Sequence, residues 1–234
     1  MFKIYICIIL LSVFGVSSCD HEKSSSVEMP YVSTEEIRTI KQIILKAPDP
    51  LNKLIEYYKL YRTHFVQKKQ IDAFEFELLY KTHFSLAVNN LDSLIYGNKK
   101  DLLKSEIAQF DKLHYFTFQI SNKTLHSELL KYNISSEQEY TDRILYYTDN
   151  CQKDFILIED GDTLRSPFVN FERTFDVAPI INMTVVFERK KAENFKHLTF
   201  IYEDKIFNSG KIKFQLEPEI ISVFNNPEIK KYNL

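Results

Sequence analysis

The sequence predicts an α+β fold in which an N-terminal helical subdomain is followed by an antiparallel β-sandwich-like C-terminal subdomain. Between residues 34 and 113, apolar residues recur at spacings of three and four, which is the period of helices that bury one side. From residue 114 to 234, apolar and polar residues alternate in several short runs. Alternation of this kind is typical of antiparallel strands that cover a core with one face.

The first 18 residues have the layout of a secretory signal peptide. Lys3 precedes an apolar run from Ile4 to Phe14, and small residues follow it. The run has about half of the ~20 apolar residues that a membrane-spanning helix needs. A permanent span is therefore not expected from this segment.

The signal ends in Val16-Ser17-Ser18-Cys19, which resembles the lipobox of bacterial lipoproteins. The resemblance implies cleavage after Ser18, diacylglycerol on the Cys19 sulfur and a fatty acid such as palmitate on the new amino terminus. Two or more chains anchor a protein stably, because each buried CH₂ contributes about 0.8 kcal/mol. The expected location is the cell envelope, lipid-anchored to a membrane and facing the periplasm or cell exterior. The alternative is a plain secretory signal in which Cys19 is incidental.

Composition narrows the classes of partner. Removing residues 1–18 takes away one basic and no acidic residue, so the mature chain has 29 basic and 32 acidic residues and a net charge of −3. A nearly balanced charge gives no reason to expect nucleic acid as a partner. Cys7 leaves with the signal and Cys19 is lipidated, so Cys151 has no partner for an internal disulfide. It is either a small buried hydrophobe or a free thiol.

The helical elements start after a tether. Residues 19–33 comprise the lipidated cysteine and a polar, serine-containing segment that is expected to be flexible. Ser33 and Glu36 match a capping box, and Pro48 and Pro50 close the first helix. Further helices are predicted from residue 51, over residues 71–88 and, after a break at Gly97-Asn98, over residues 99–113.

The strands follow from alternation. They are predicted over residues 114–120, 154–159, 180–188, 197–203 and 211–217, with a mostly helical stretch over residues 125–148. Asp160-Gly161 is a strong signal for a two-residue hairpin turn into Asp162.

The segment of residues 166–179 is the candidate binding site. It is long, aromatic and flanked by prolines, it joins two predicted strands, and such connections often carry function. Its acidic and basic side chains could form a charge network that the phenylalanines anchor. The candidate residues are Phe171, Glu172, Arg173 and Asp176. The alternative is a sheet-crossing loop whose aromatic side chains plug one end of the sandwich.

No motif in the chain points to a catalytic residue, a cofactor or a metal. His64 and His83, with Glu75 and Glu77 between them, could form a composite metal site, but ordinary half-exposed helix histidines are the simpler expectation. The acidic residues at 159, 160 and 162 resemble a fragment of a calcium loop. A calcium site needs about six oxygen ligands, so an acidic hairpin tip is the simpler interpretation.

For function, the sequence favours a non-enzymatic lipoprotein that binds or scaffolds an envelope protein. Two other hypotheses stay open. A glycan or small-molecule binding lipoprotein would need an aromatic-lined cleft between the two subdomains. A hydrolase with a dispersed active site would need a pocket in which two titratable groups converge, such as Glu172 and a histidine.

Overall fold

A computed structural model describes residues 25–26, 32–92, 99–190 and 195–225. The signal peptide, Cys19 and the predicted break at Gly97-Asn98 lie outside these residues. In the described part, helices dominate the N-terminal region and two antiparallel sheets pack against each other, which confirms the predicted α+β class. Every described helix is too short or too polar to cross a bilayer.

The first helix begins where its capping box predicts. The helices are α1 (Thr34–Lys46), α2 (Pro50–Tyr61), α3 (His83–Asp92), α4 (Lys99–Phe110), α5 (Glu137–Leu145) and α6 (Pro218–Asn225). The Ser33 hydroxyl accepts a hydrogen bond from the Glu36 N–H at 3.1 Å, which satisfies one of the free donors of the first turn. The Asp49 carboxylate accepts from the Asn52 N–H at 3.1 Å and caps α2 in the same way.

The strands form two sheets. Sheet A contains β1 (Ser25–Ser26), β2 (Val66–Ile71), β3 (Phe74–Lys81), β4 (Leu113–Ser121), β7 (Phe168–Glu172) and β8 (Ile180–Glu188), in the order β1-β2-β3-β4-β8-β7. Sheet B contains β5 (Phe155–Glu159), β6 (Asp162–Arg165), β9 (Leu198–Asp204) and β10 (Gly210–Leu216), in the order β10-β9-β5-β6. Aromatic side chains from the two inner faces meet between the sheets, and Phe118 of β4 lies 4.9 Å from Tyr202 of β9 between ring centroids.

The prediction of a third helix over residues 71–88 is wrong for its first half. Residues 74–81 form β3, in which every second side chain, from Phe74 to Tyr80, is buried. β3 pairs with β2 on one side and β4 on the other, and Asp72 makes the tight turn to β2 with φ 50°. The apolar residues of this segment fit both the helical and the two-residue strand period. Pairing with β4 is what makes the segment a strand.

Two further segments differ from their predicted form. The segment 166–179 is not a loop throughout, since residues 168–172 form β7 and pair with β8. Within the predicted tether, Ser25 and Ser26 pair with Gln70 and Lys69 of β2. The predicted boundary between residues 113 and 114 falls after the first residue of β4. Sheet A takes strands from both sides of this boundary, and one hydrophobic core joins them.

Strand register decides which loops share an end of the sandwich. At one end, which we call the Phe74 end, lie the β2–β3 turn, the end of β4 at Ser121 and the start of β8 at Ile180. The β9–β10 loop joins this end, because the Phe207 ring stacks on Phe74 with 4.7 Å between centroids. The opposite end, which we call the His114 end, holds the start of β4 and the β5–β6 turn after Glu159.

Candidate functional site

The four predicted binding residues do not lie together. The Phe171 ring points inward from β7 and packs against Tyr147, with 5.6 Å between centroids. Glu172 lies on the other face of the strand, where its carboxylate accepts a hydrogen bond from the Asn182 amide at 2.6 Å. Arg173 and Asp176 follow the strand and join one cluster at the Phe74 end. The structure therefore brings together two of the four.

This cluster, the charged platform, consists of Glu128, Lys131, Tyr140, Arg173 and Asp176. The Arg173 guanidinium donates to the Tyr140 hydroxyl at 2.6 Å, and that hydroxyl donates to the Glu128 carboxylate at 2.7 Å. Lys131 pairs with Asp176, and the Glu128 N–H donates to the Asp176 carboxylate at 3.1 Å. Glu128 is buried, so it depends on these partners, because an unpaired buried carboxylate is costly.

Electrostatics keep Lys131 and Asp176 of the platform charged at neutral pH. The Lys131 ammonium and the Glu128 N–H keep the pKa of Asp176 below its usual value. Asp176 in turn raises the pKa of Lys131 through their hydrogen bond. Burial and the hydrogen bond to Glu128 raise the pKa of the Tyr140 hydroxyl, so Tyr140 stays protonated and can donate.

Two apolar side chains, Phe175 and Val177, project from this platform, and we call them the apolar tip. Their exposed fractions are 68% and 88%. The Arg173 guanidinium lies over the Phe175 ring, 4.6 Å from its centroid, a cation–π arrangement that holds the ring in one place.

The backbone of the tip is unusual. Phe175 and Asp176 have φ of 47° and 63°, the left-handed region that costs a residue other than glycine on the order of 1–3 kcal/mol. The contacts that the Asp176 carboxylate makes with the Glu128 N–H and the Lys131 ammonium offset this cost. The Val177 N–H also donates to the Thr174 carbonyl at 3.0 Å. Hydrogen bonds thus hold the turn in the conformation that exposes the tip.

Sequence reasoning did not single out Glu128, Lys131, Tyr140 or Val177. The platform residues lie 33 to 48 positions before their partners, and no local pattern links them. The left-handed turn carries no glycine to mark it. Only the run of aromatic and charged residues in the segment itself gave a signal.

A second polar cluster lies inside the core at the His114 end. The Asn225 amide donates to the Tyr80 hydroxyl at 2.6 Å, and this hydroxyl lies 3.1 Å from His114 Nδ1. The other ring nitrogen, Nε2, faces the Glu159 carboxylate at 3.6 Å. Because Tyr80 accepts from Asn225, its proton points to His114 Nδ1, and the neutral imidazole carries its own proton on Nε2. The chain of contacts joins α6, β3, β4 and β5.

His83 extends this buried network. Its backbone N–H donates to the Asn225 side-chain oxygen at 2.8 Å, and its ring Nε2 lies 2.9 Å from the Leu113 carbonyl, to which it donates. Burial lowers the pKa of His114 and lowers that of His83 to about 4. These groups are enclosed in the core, so the network connects elements of the fold and offers no surface to a substrate.

Acid is expected to destabilise the protein through His83. In the unfolded chain this imidazole takes up a proton near its ordinary pKa of 6.5, whereas in the fold burial lowers that pKa to about 4. The contribution of neutral His83 to the free energy of unfolding is therefore complete above about pH 6.5. It decreases by up to about 3 kcal/mol as the pH falls toward 4. Carboxylates with lowered pKa, such as Asp176, act in the same direction.

The measurement is the difference between wild type and His83→Gln in urea unfolding at pH 7, 5.5 and 4.5. The glutamine amide can still donate to the Leu113 carbonyl but does not titrate. The variant should lose less stability than wild type between pH 7 and 4.5. Equal slopes for wild type and His83→Gln would contradict the assignment.

The other sequence candidates for metal binding do not converge. Glu75 binds Lys123 at 2.7 Å, Glu77 binds Lys68, and the His64 ring packs beside Tyr61. At the hairpin, Asp160 accepts from the Lys196 and His197 N–H groups at 2.7 and 2.8 Å. In residues 32–92, 99–190 and 195–225, no three His, Cys, Asp or Glu side chains are grouped so that they could hold a metal ion.

Cys151 is a free thiol buried in the core. Its Sγ lies 3.1 Å from the Tyr147 carbonyl, and burial raises the pKa of the thiol to about 12. A thiol of this kind is chemically inert at neutral pH, because the thiolate is the reactive form.

An open groove of about 720 Å³ runs between α1 and α2. Ile43 and Pro48 form part of its lining with Lys46 and Lys53, and its lining residues include no aromatic ring. It lies within the helical region, so it is not the aromatic-lined cleft between subdomains that a glycan-binding protein would need.

No protein-family model matches the sequence, and no curated protein matches it either. The chain is similar to the crystal structure of a protein of unknown function from Burkholderia pseudomallei K96243. The sequence identity is 8%, the similarity covers 83% of this chain and 97% of that chain, and the TM-score is 0.36.

Proposed function

We propose that this protein is a lipid-anchored lipoprotein of the bacterial envelope that binds another envelope component through the apolar tip and performs no catalysis. The observation that carries the proposal is the exposure of Phe175 and Val177 on a turn fixed by Asp176. Two neighbouring apolar side chains held out in water by strained backbone favour a surface that becomes buried in a complex.

The energetic gain from burying the tip is large enough to support specific binding. Burial of a fully exposed phenylalanine or valine side chain contributes roughly 1.5–3 kcal/mol. Phe175 and Val177 are 68% and 88% exposed, so burying their exposed parts contributes roughly 2–5 kcal/mol in total. This corresponds to a factor of about 50 to 3,000 in affinity. The lipid on Cys19 would add to this by holding the protein at the membrane surface.

The platform supports binding better than it supports chemistry. Its charges are paired with one another, Arg173 with Glu128 and Lys131 with Asp176. A catalytic acid or base needs a pKa near the working pH, whereas these contacts move the pKa of Asp176 down and that of Lys131 up. Glu172, the acidic group considered for a hydrolase, bonds to Asn182 rather than to a histidine.

Pull-down from crosslinked envelopes tests the proposal. The double variant Phe175→Ser with Val177→Ser should recover at least tenfold less of the bound component than wild type, because the apolar contact is removed. The matched control is Leu60→Ser, since Leu60 lies on α2 with 67% of its side chain exposed, and it should bind as wild type does. A Cys19→Ala variant should no longer be found in the membrane fraction.

Equal recovery by wild type and the double variant would show that the tip is not the binding surface. Loss of binding in Leu60→Ser as well would point to general instability or to a surface on the helices instead.

A further inference from the structure

We infer that the Phe74 end of the sandwich faces the bilayer and that the apolar tip inserts into the membrane interface. The inference rests on the proposed lipid anchor at Cys19 and deepens the proposed function by naming the component that the tip binds. Three observations carry it: the direction in which the chain enters sheet A, the number of residues between Cys19 and Ser25, and the position of the tip.

The chain enters sheet A from the Phe74 end. Ser25 pairs with Gln70 and Ser26 with Lys69, antiparallel to β2. β2 runs toward the Phe74 end, where Ile71 pairs with Phe74. An antiparallel β1 therefore runs away from that end, and Ser25 is the residue of β1 nearer to it.

The length of the preceding chain restricts where the lipid can be. Six residues lead from Cys19 to Ser25, and a fully extended chain of this length spans at most about 20–22 Å. β4 has nine residues and spans about 30 Å. Cys19 can therefore reach a membrane at the Phe74 end, while the His114 end stays farther from the bilayer.

The tip lies at this same end of the sheet. β7 runs toward it, because Glu172 pairs with Asn182 near the start of β8, and Phe175 follows three residues later. Five strand spacings separate β1 from β7 in sheet A, which corresponds to about 24 Å. The lipid and the tip thus form two separate points of attachment to one plane.

The charges around the tip indicate which kind of bilayer it binds. Lys131 is paired with Asp176, Lys123 with Glu75 and Lys205 with Asp154, and Arg173 faces Glu128. No unbalanced positive surface results from these pairs, so attraction to anionic headgroups is not the driving force. Contact through Phe175 and Val177 is apolar and requires only zwitterionic lipid.

Site-specific labelling of the mature lipoprotein tests this orientation. Val177→Cys is labelled with an environment-sensitive fluorophore, and the buried, unreactive Cys151 does not compete. The protein is reconstituted in phosphatidylcholine vesicles with and without a bromine-labelled lipid quencher. The matched control is Thr163→Cys, an exposed position on β6 beside the β5–β6 turn at the His114 end. At least twofold quenching is expected at position 177 and none at position 163.

Each other outcome has a defined meaning. Equal quenching at both positions, or quenching at position 163 alone, overturns the orientation. If the label at position 177 is shielded in native envelopes but not quenched in protein-free vesicles, the tip binds a protein, which overturns the inference and leaves the proposed function standing. A label at position 177 that stays water-exposed in both preparations overturns both.

Discussion

Replacing Phe118 by alanine is expected to destabilise the fold by roughly 3–5 kcal/mol, the usual cost of removing a fully buried phenylalanine side chain. Phe118 is fully buried on the central strand β4. Its ring lies within 6.3 Å, between centroids, of rings on both sheets: Phe76, Phe155, Phe200, Tyr202 and Phe214. The substitution would leave a cavity at the place where the two sheets meet.

Thermal or urea unfolding of the purified protein measures this effect. For a domain of this length, a loss of about 4 kcal/mol corresponds to a fall in Tm of about 8–16 °C. The control is Leu60→Ala, at an exposed helical position, which should change stability by no more than about 0.5 kcal/mol. A similar small change for both variants would contradict the packing of sheet A on sheet B.

The β strands that sequence patterns predicted well are those with one polar face. In β10, lysine and glutamine alternate with Ile212, Phe214 and Leu216, and the structure buries these three. β3 was predicted as helix because its outer face includes Leu79 between charged residues, which weakens the two-residue period. Its neighbours in space, β2 and β4, decide its conformation, and that information is not local in the sequence.

The binding segment was predicted only in part, because its contacts are also not local in the sequence. A strand alternates its side chains, so Phe171 and Glu172 of β7 point to opposite faces and cannot act together. Arg173 and Asp176 come together because the chain turns after β7, through two left-handed residues that the sequence does not mark. Their partners come from the connection between β4 and α5 and from α5 itself, so only the folded chain reveals the platform.

The two ends of the sandwich differ in where their polar groups lie. At the His114 end, buried hydrogen bonds join α6 to the strands through Tyr80, His114 and Asn225. At the Phe74 end, the polar groups of the platform support an exposed apolar tip. One end therefore contributes to the cohesion of the fold, and the other presents exposed apolar side chains.

We propose that the apolar tip is the surface by which the protein, anchored by lipid, binds within the envelope. The most direct measurement introduces a photoreactive amino acid at position 177 in living cells, with a second variant that carries it at position 60, another exposed apolar position. Burial of Val177 in a complex should give crosslinked products at position 177, with lipid as the main product, and at most a tenth as much at position 60. Equal products at the two positions, or products at position 60 alone, would show that the tip is not the binding surface.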